Sequence, residues 1–338
     1  MKHLAVKGDV DVVIEVQRPT PKLGFGKPLI VGSSTAGQAY KNYADLEAVK
    51  ADFDEKTEVF KAARAIFLQD NAPAEIAIMC RKTDATPQPL SEVMTEAFKR
   101  DWYFVVPTSE LVADITAIAD AVEQDGTRQF IACSGKKTDL GAIKKKGYKR
   151  TTIFYHTDPS SYPDAAMVGA VGSLDVGSVT WKFKKLNGIV PLDIDTTEMN
   201  EIHDLGAITY VVKAGDPQTS EGKTVNGEYI DIVHSRDYLV SSISFAVQKL
   251  FNRTDKVRFD NVGIAMIEGE VRTVLKRADL SGMIAHDDDG LPIYSTSFIP
   301  RSQVDPADRE KRVYNGGTFE FELSGAIHQT KIKGIIKL

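Results

Sequence analysis

Between residue 27 and about residue 185, short apolar runs alternate with amphipathic stretches, and few folds satisfy that alternation. The runs Leu29–Val31, Ile76–Met79, Trp102–Val106, Phe130–Ala132 and Thr152–Tyr155 have strand length and no polar side. Strands of that kind are covered on both faces, as in parallel sheets. The stretches between them have helical spacing. In "SELVADITAIADAVEQDG" the apolar residues Leu111, Ile115, Ile118 and Val122 recur on one face, Ser109 is placed to cap the start and Gly126 to stop the end. "TEVFKAARAIFLQ" does the same with Phe60, Ala63 and Phe67. The expected unit is an α/β domain, helices on a mainly parallel sheet.

Past "WKFKKLNGIVPLDI" the texture changes. "KAGDPQTSEGKTVNGEY" is rich in turn residues and predicts hairpins. Two helices follow, one near Tyr238 to Phe251 with Leu239, Ile243, Ala246 and Leu250 on one face. The other, near Val262 to Ala278, aligns Ile264, Ile267, Val271, Val274 and Ala278. Strand-like segments around Ile293–Phe298, Thr318–Leu323 and Thr330–Leu338 close the chain. This predicts an α+β domain. The expected division is an N-terminal arm over residues 1–20, the α/β domain over 21–186, the α+β domain over 187–325 and a C-terminal arm over 326–338.

The two ends carry complementary charge. Val10, Val12, Ile14 and Val16 alternate with Asp11, Val13 and Glu15, giving an apolar face and an acidic one. Ile332, Gly334, Ile336 and Leu338 alternate with Lys331, Lys333, Ile335 and Lys337, giving an apolar face and a basic one. Opposite charges across paired strands attract by roughly 0.2–1 kcal/mol per pair, and like charges repel. An N-terminal end therefore pairs better with a C-terminal end than either does with itself. Two arrangements satisfy this: both strands in one sheet of their own subunit, or exchange between subunits at an open sheet edge.

No segment of the sequence carries a complete chemical motif. "KPLIVGSSTAGQAYK" has the layout of a phosphate loop, with a strand, Gly32 and Gly37 four residues apart, and a helix-like continuation. A working loop needs Lys and then Ser or Thr after the second glycine, and here Gln38 and Ala39 follow, with Lys41 too far on. With Gly290 as the sixth residue of a calcium loop, "AHDDDGLP" puts Ala285 at the first position and Thr296 at the twelfth, where carboxylates are required. Asp287, Asp288 and Asp289 are read as a solvated turn. The six histidines are scattered, without zinc spacing. Cys80 and Cys133 each end an apolar run and are read as buried free thiols of a reducing cytosol. "KKTDLGAIKKKGYKR" is a basic run, but the formal net charge is −5, which argues against nucleic acid or anionic membrane as partners. No catalytic, cofactor or metal site is expected, and a nucleotide enzyme is the remote alternative.

Several segments together resemble the contractile tail sheath proteins of bacteriophages and phage-tail-like particles. They are "YADLEAVKADFDEKTEVFKAARAIFLQDNAPAEIAIM", "KRTTIFYHTDPSSYPDAAMVGAVGSLDVGSVTWKFKKLNGIVP", "GKTVNGEYIDIVHSRDYLVSSISFAVQKLF" and "DPADREKRVYNGGTFEFELSGAIHQTKIKGIIKL". Their order and spacing carry the likeness from about residue 28 onward.

The resemblance implies a structural subunit that stacks with itself in rings of six around an inner tail tube, bounded by baseplate and tail terminator proteins. It implies assembly in the host cytoplasm into a virion or particle, then contraction that drives the tube through a bacterial envelope with no nucleotide hydrolysed. Sheath proteins keep their lattice connected by exchanged terminal strands, which favours the second arrangement of the ends. The inter-subunit arms are then Val10, Asp11, Val12, Ile14, Glu15 and Val16 at one end and Lys331, Ile332, Lys333, Ile336 and Lys337 at the other. The α/β domain is expected outside and the C-terminal domain near the tube, with Arg253, Lys256, Arg272 and Lys276 as candidate tube contacts. A tube or baseplate component is the nearer alternative, and the length of 338 residues favours sheath over tube.

Overall fold

A computed structural model describes residues 25–84 and 86–333. Val10, Asp11, Val12, Ile14, Glu15 and Val16, and likewise Ile336 and Lys337, lie outside the described residues.

The apolar runs do form strands, each a little longer than its run except the one from Trp102 to Val106, whose strand starts at Phe104. They are β1 (Pro28–Ser34), β3 (Ile76–Lys82), β4 (Phe104–Pro107), β5 (Gln129–Ser134) and β6 (Thr151–Tyr155), with β2 (Gln38–Tyr43) after the first and β7 (Ala207–Ile208) after the last. They make one seven-stranded sheet in the order β2-β3-β1-β4-β5-β6-β7. All neighbours are parallel except β2, which runs antiparallel to β3 along one edge. Every residue of β4, β5 and β6 is buried, which is why these strands read as unbroken apolar runs.

Alternation along the strands sends side chains to two layers. Ile30, Ile78, Phe104, Val106, Ile131 and Phe154 meet helices α1 (Leu46–Lys50), α2 (Glu58–Phe67) and α6 (Pro163–Val171) on one face. Leu29, Val31, Val105, Phe130 and Ile153 meet α3 (Leu90–Ala97), α4 (Val112–Asp125), α5 (Lys137–Lys144) and α7 (Thr196–Asp204) on the other.

Three expectations need correction. The segment after Gly37 is not a helix but β2, whose Tyr43 turns inward while Lys41 pairs with Asp52 at 2.5 Å. A short polar strand closing the edge suits its position, because charge there discourages further pairing. Ser109 does not cap α4: Leu111 holds the cap position, and Ser109 Oγ donates to the Asp114 carboxylate at 2.6 Å, while Gly126 does end the helix. The helix expected from Tyr238 starts two turns earlier, as α8 (Ile230–Arg253).

Those first turns of α8 lie on the sheet. Asp237 takes both guanidinium nitrogens of Arg150, at 2.5 and 2.9 Å, and the Tyr103 hydroxyl at 2.8 Å, with all three side chains at least nine-tenths buried. The His234 ring stacks on Tyr103, and its Nε2 meets the Phe25 carbonyl. The hydrophobic cluster on that face runs without a break from the sheet into α8 and α9 (Asn261–Leu280). The sheet too continues past residue 186, since β7 pairs with β6 through Ile153 and Ala207.

The predicted hairpin in "KAGDPQTSEG" is β8 (Tyr210–Lys213) and β9 (Asp216–Thr219), turning at Ala214 and Gly215, both at positive φ. Beyond α9 come β10 (Tyr294–Phe298), the short α10 (Pro306–Glu310) and β11 (Gly317–Phe321). Among the described residues no helix is long and apolar enough to cross a membrane, and no cluster of metal-ligating side chains is present.

Candidate functional site

In a doubly wound sheet a ligand would enter where strand order reverses, here between β1 and β4 at their carboxyl ends. That crevice is spanned by its own side chains. Arg81 donates to Ser33 Oγ at 2.9 Å and to both oxygens of Asp114, at 3.1 and 2.8 Å. The Tyr162 hydroxyl donates to Glu58 at 2.7 Å across the same end.

The glycines of the would-be phosphate loop have other reasons to be there. A Cβ on Gly32 would stand 2.4 Å from Val59 Cγ2, so Gly32 lets α2 approach β1, and Gly37 turns the chain at φ +72°. The amides of this loop face no helix N-terminus, because the next element is a strand.

The other chemical candidates are equally committed. The Asp287 carboxylate accepts from the backbone of Asp289 at 3.0 Å and of Leu291 at 2.8 Å, closing an exposed turn on itself. Cys80 and Cys133 are buried free thiols. Burial pushes the Cys80 thiol up to about 12 and the Cys133 thiol well up, so neither is a thiolate near neutrality. Native protein at about pH 8 is expected to react with neither Ellman equivalent, and guanidinium-unfolded protein with both. Fast reaction of either in the native state would contradict this burial.

What remains open for recognition is backbone. β10 and β11 pair with each other in register Tyr294↔Phe321 to Phe298↔Gly317, and among the described residues with no other strand. Tyr294, Phe298, Phe319 and Phe321 turn toward the core, while Ser295, Ser297, Thr318 and Glu320 are exposed. Glu268 of α9 accepts from Thr296 Oγ1 at 2.7 Å and pairs with Arg272 at 2.8 Å, fixing the ribbon to the helix. A two-stranded ribbon is marginal by itself, and helix packing on one face supplies what it lacks. Both its edges can accept a further strand.

After β11 the chain follows residues 283–285, with Ser324 N bonded to the Met283 carbonyl at 2.9 Å and Ile284 bridged to Leu323. It then reaches His328 and continues through Lys331, Ile332 and Lys333, which are exposed and belong to no strand. Ile327 is 84% exposed and Ile332 88%.

Neither a protein-family model nor a curated protein sequence matches the chain. Solved structures do. A chain of the anti-feeding prophage helical sheath in its contracted state superposes with a TM-score of 0.69 at 13% identity, over 97% of this chain and 99% of that one. A chain of the PVC extracellular contractile injection system sheath, also contracted, gives 0.68 at 12% identity, over 98% of both. The chain has the contractile-sheath fold. The same sheath fold matches a chain in the anti-feeding prophage baseplate, with a TM-score of 0.71 at 12% identity, over 97% of this chain and 99% of that one.

Within this sheath fold, the basic residues picked out in the sequence all lie on the α8–α9 pair or in the turn that joins the two helices. Arg253, at the end of α8, pairs with Glu270, and Arg272 with Glu268. Lys256 is exposed in the turn between the helices, and Lys276 is exposed on α9 beside Arg277. Along the exposed side of α9 the sequence passes from Val262, Ala265 and Met266 to Arg272, Lys276 and Arg277, a division that sequence spacing around single charges had not indicated.

Proposed function

We propose that this chain is a non-catalytic structural subunit of a contractile sheath, which polymerises with itself as stacked rings around an inner tube. The observation that carries the reading is a strand ribbon that, among the described residues, pairs with no other strand, in a chain matching sheath chains over nearly its whole length. In this reading the C-terminal arm (326–338) of one copy and the N-terminal arm (1–20) of another lie side by side as paired strands, added to an edge of the β10–β11 ribbon of a third. Residues 21–186 form the outer part and 187–325 the part nearer the tube. Arg253, Lys256, Arg272 and Lys276 face an acidic tube surface. Rings joined by lent strands can change spacing without separating, so contraction draws on interface burial alone. The working location is the tail of a phage or phage-tail-like particle, with baseplate and terminator proteins at its ends and no direct contact with nucleic acid or membrane.

Negative-stain microscopy of the concentrated, purified protein tests this, with hollow tubes of uniform width as the expected result. Dispersed monomers at every concentration and salt tried would overturn it. The match to a baseplate structure favours a second reading, a collar-like baseplate component, for which single rings that never elongate are expected.

A further inference from the structure

Among the described residues, His328 is the one member of the outgoing segment 325–333 whose side chain hydrogen-bonds to the body. Its Nε2 lies 2.8 Å from Thr180 Oγ1. Its ring meets the edges of Tyr229, at 5.1 Å, and Phe183, at 5.8 Å. Phe183 holds a left-handed backbone, φ 65°, which costs a β-carbon-bearing residue energy that the surroundings must supply. Its amide is tied to the Thr219 carbonyl at 3.1 Å, and Lys182 beside it pairs with Glu221 at 2.5 Å. The seat is therefore built from three separate parts of the body: the 180–183 loop, β9 and the start of α8.

The second ring nitrogen, Nδ1, is buried and has no hydrogen-bond partner among the described residues. A neutral ring tolerates this as one unmet lone pair or N–H. A protonated ring must place a charged N–H donor there without an acceptor, at a far higher cost. Lys182 and Lys223 oppose the added charge, and Glu221 and Asp231 favour it. Burial, first, and then Lys182 hold the ring below the ordinary imidazole value.

We propose that His328 is the positioning residue of the C-terminal segment: seated on Thr180, Phe183 and Tyr229, it fixes where residues 329–333 leave the body, and protonation of its ring frees them. The proposal concerns a single copy and holds whether or not copies assemble. Because undocked imidazole takes its proton at a higher pH than docked imidazole, acid favours the undocked form.

The test uses an Ile332→Cys chain at non-assembling dilution, labelled with a fluorophore in the native state, where the two natural thiols are buried. Between about pH 8 and 5, anisotropy is expected to fall in a single-proton transition. Adding His328→Ala should give low anisotropy at every pH. Adding His328→Gln, whose amide can keep the Thr180 bond but cannot titrate, should give high anisotropy throughout. Equal anisotropy of the parent and His328→Ala chains at about pH 8, or an acid transition preserved in His328→Gln, overturns the proposal.

Discussion

Deleting residues 326–338 is expected to leave a folded chain that no longer forms tubes. Within the described part of that segment His328 is half-buried and everything else is exposed, so the deletion removes little core. Circular dichroism and the urea midpoint should therefore stay close to those of the full chain. In the exchanged-arm reading assembly has no such reserve, because each copy would lose its basic strand and the ribbon of a neighbour would lose a partner. Deleting residues 1–17 should act in the same way through the acidic strand. A charge exchange separates sequence-specific pairing from mere chain length. Lys331→Glu, Lys333→Glu and Lys337→Glu together replace attractions of roughly 0.2–1 kcal/mol per pair by repulsions, at every copy in the lattice. Tube formation should drop sharply, and adding Asp11→Lys and Glu15→Lys should restore part of it. Unaltered tubes from either truncated chain would end the exchanged-arm reading while leaving the fold untouched.

Asp237→Ala is expected to lower folding stability by about 3–5 kcal/mol, the usual consequence of stranding one member of a buried ion pair. Arg150 would keep a buried guanidinium with, among the described residues, only the Arg128 carbonyl, 3.3 Å away, as acceptor. Tyr103 would lose the acceptor for its hydroxyl, which also receives the Gln129 amide at 3.0 Å. A urea titration should move to a lower midpoint at unchanged slope. Replacing the pair together, with Arg150→Met and Asp237→Leu, should recover much of the loss, since charges removed jointly leave none uncompensated. A loss below about 1 kcal/mol for Asp237→Ala would mean that the bridge behaves like an exposed pair.

The sequence was most readable where one physical cause acted alone. Strands buried on both faces, such as Phe104–Pro107 and Thr151–Tyr155, have no polar side to confuse with a helix, and they were recognised at once. Gly126 marked a helix end because the left-handed backbone there, φ 71°, favours glycine. The failures come where tertiary contacts override local pattern. "QAYKNY" is polar because it lies on a sheet edge, and its alternation is too faint to distinguish a strand from an amphipathic turn. The helix was expected only from Tyr238 because His234, Ser235 and Asp237 interrupt the apolar spacing before it, yet His234 and Asp237 are buried against Phe25 and Tyr103, partners distant in sequence. β7 is two residues long, below any periodicity. Of the candidate site, the lysine-bearing end stays an expectation from alternation, since residues 331–333 belong to no strand and 334–338 lie outside the described residues, whereas the ribbon depends on pairing of residues 19 to 27 apart. His328 carried no signal, for its seat is made by residues near 180 and 229.

The stitching of α8 to the sheet has a mechanical corollary. With Arg150, Tyr103 and Gln129 gripping the first turns of a 24-residue rod, the rod cannot pivot on the layer beneath it without breaking a buried charge contact. Strain imposed at the far tip of α8 is thus delivered to the sheet undamped. The compliant stretch is the short cable from Leu323 to His328, anchored at one end by two backbone bonds and at the other by a single ring.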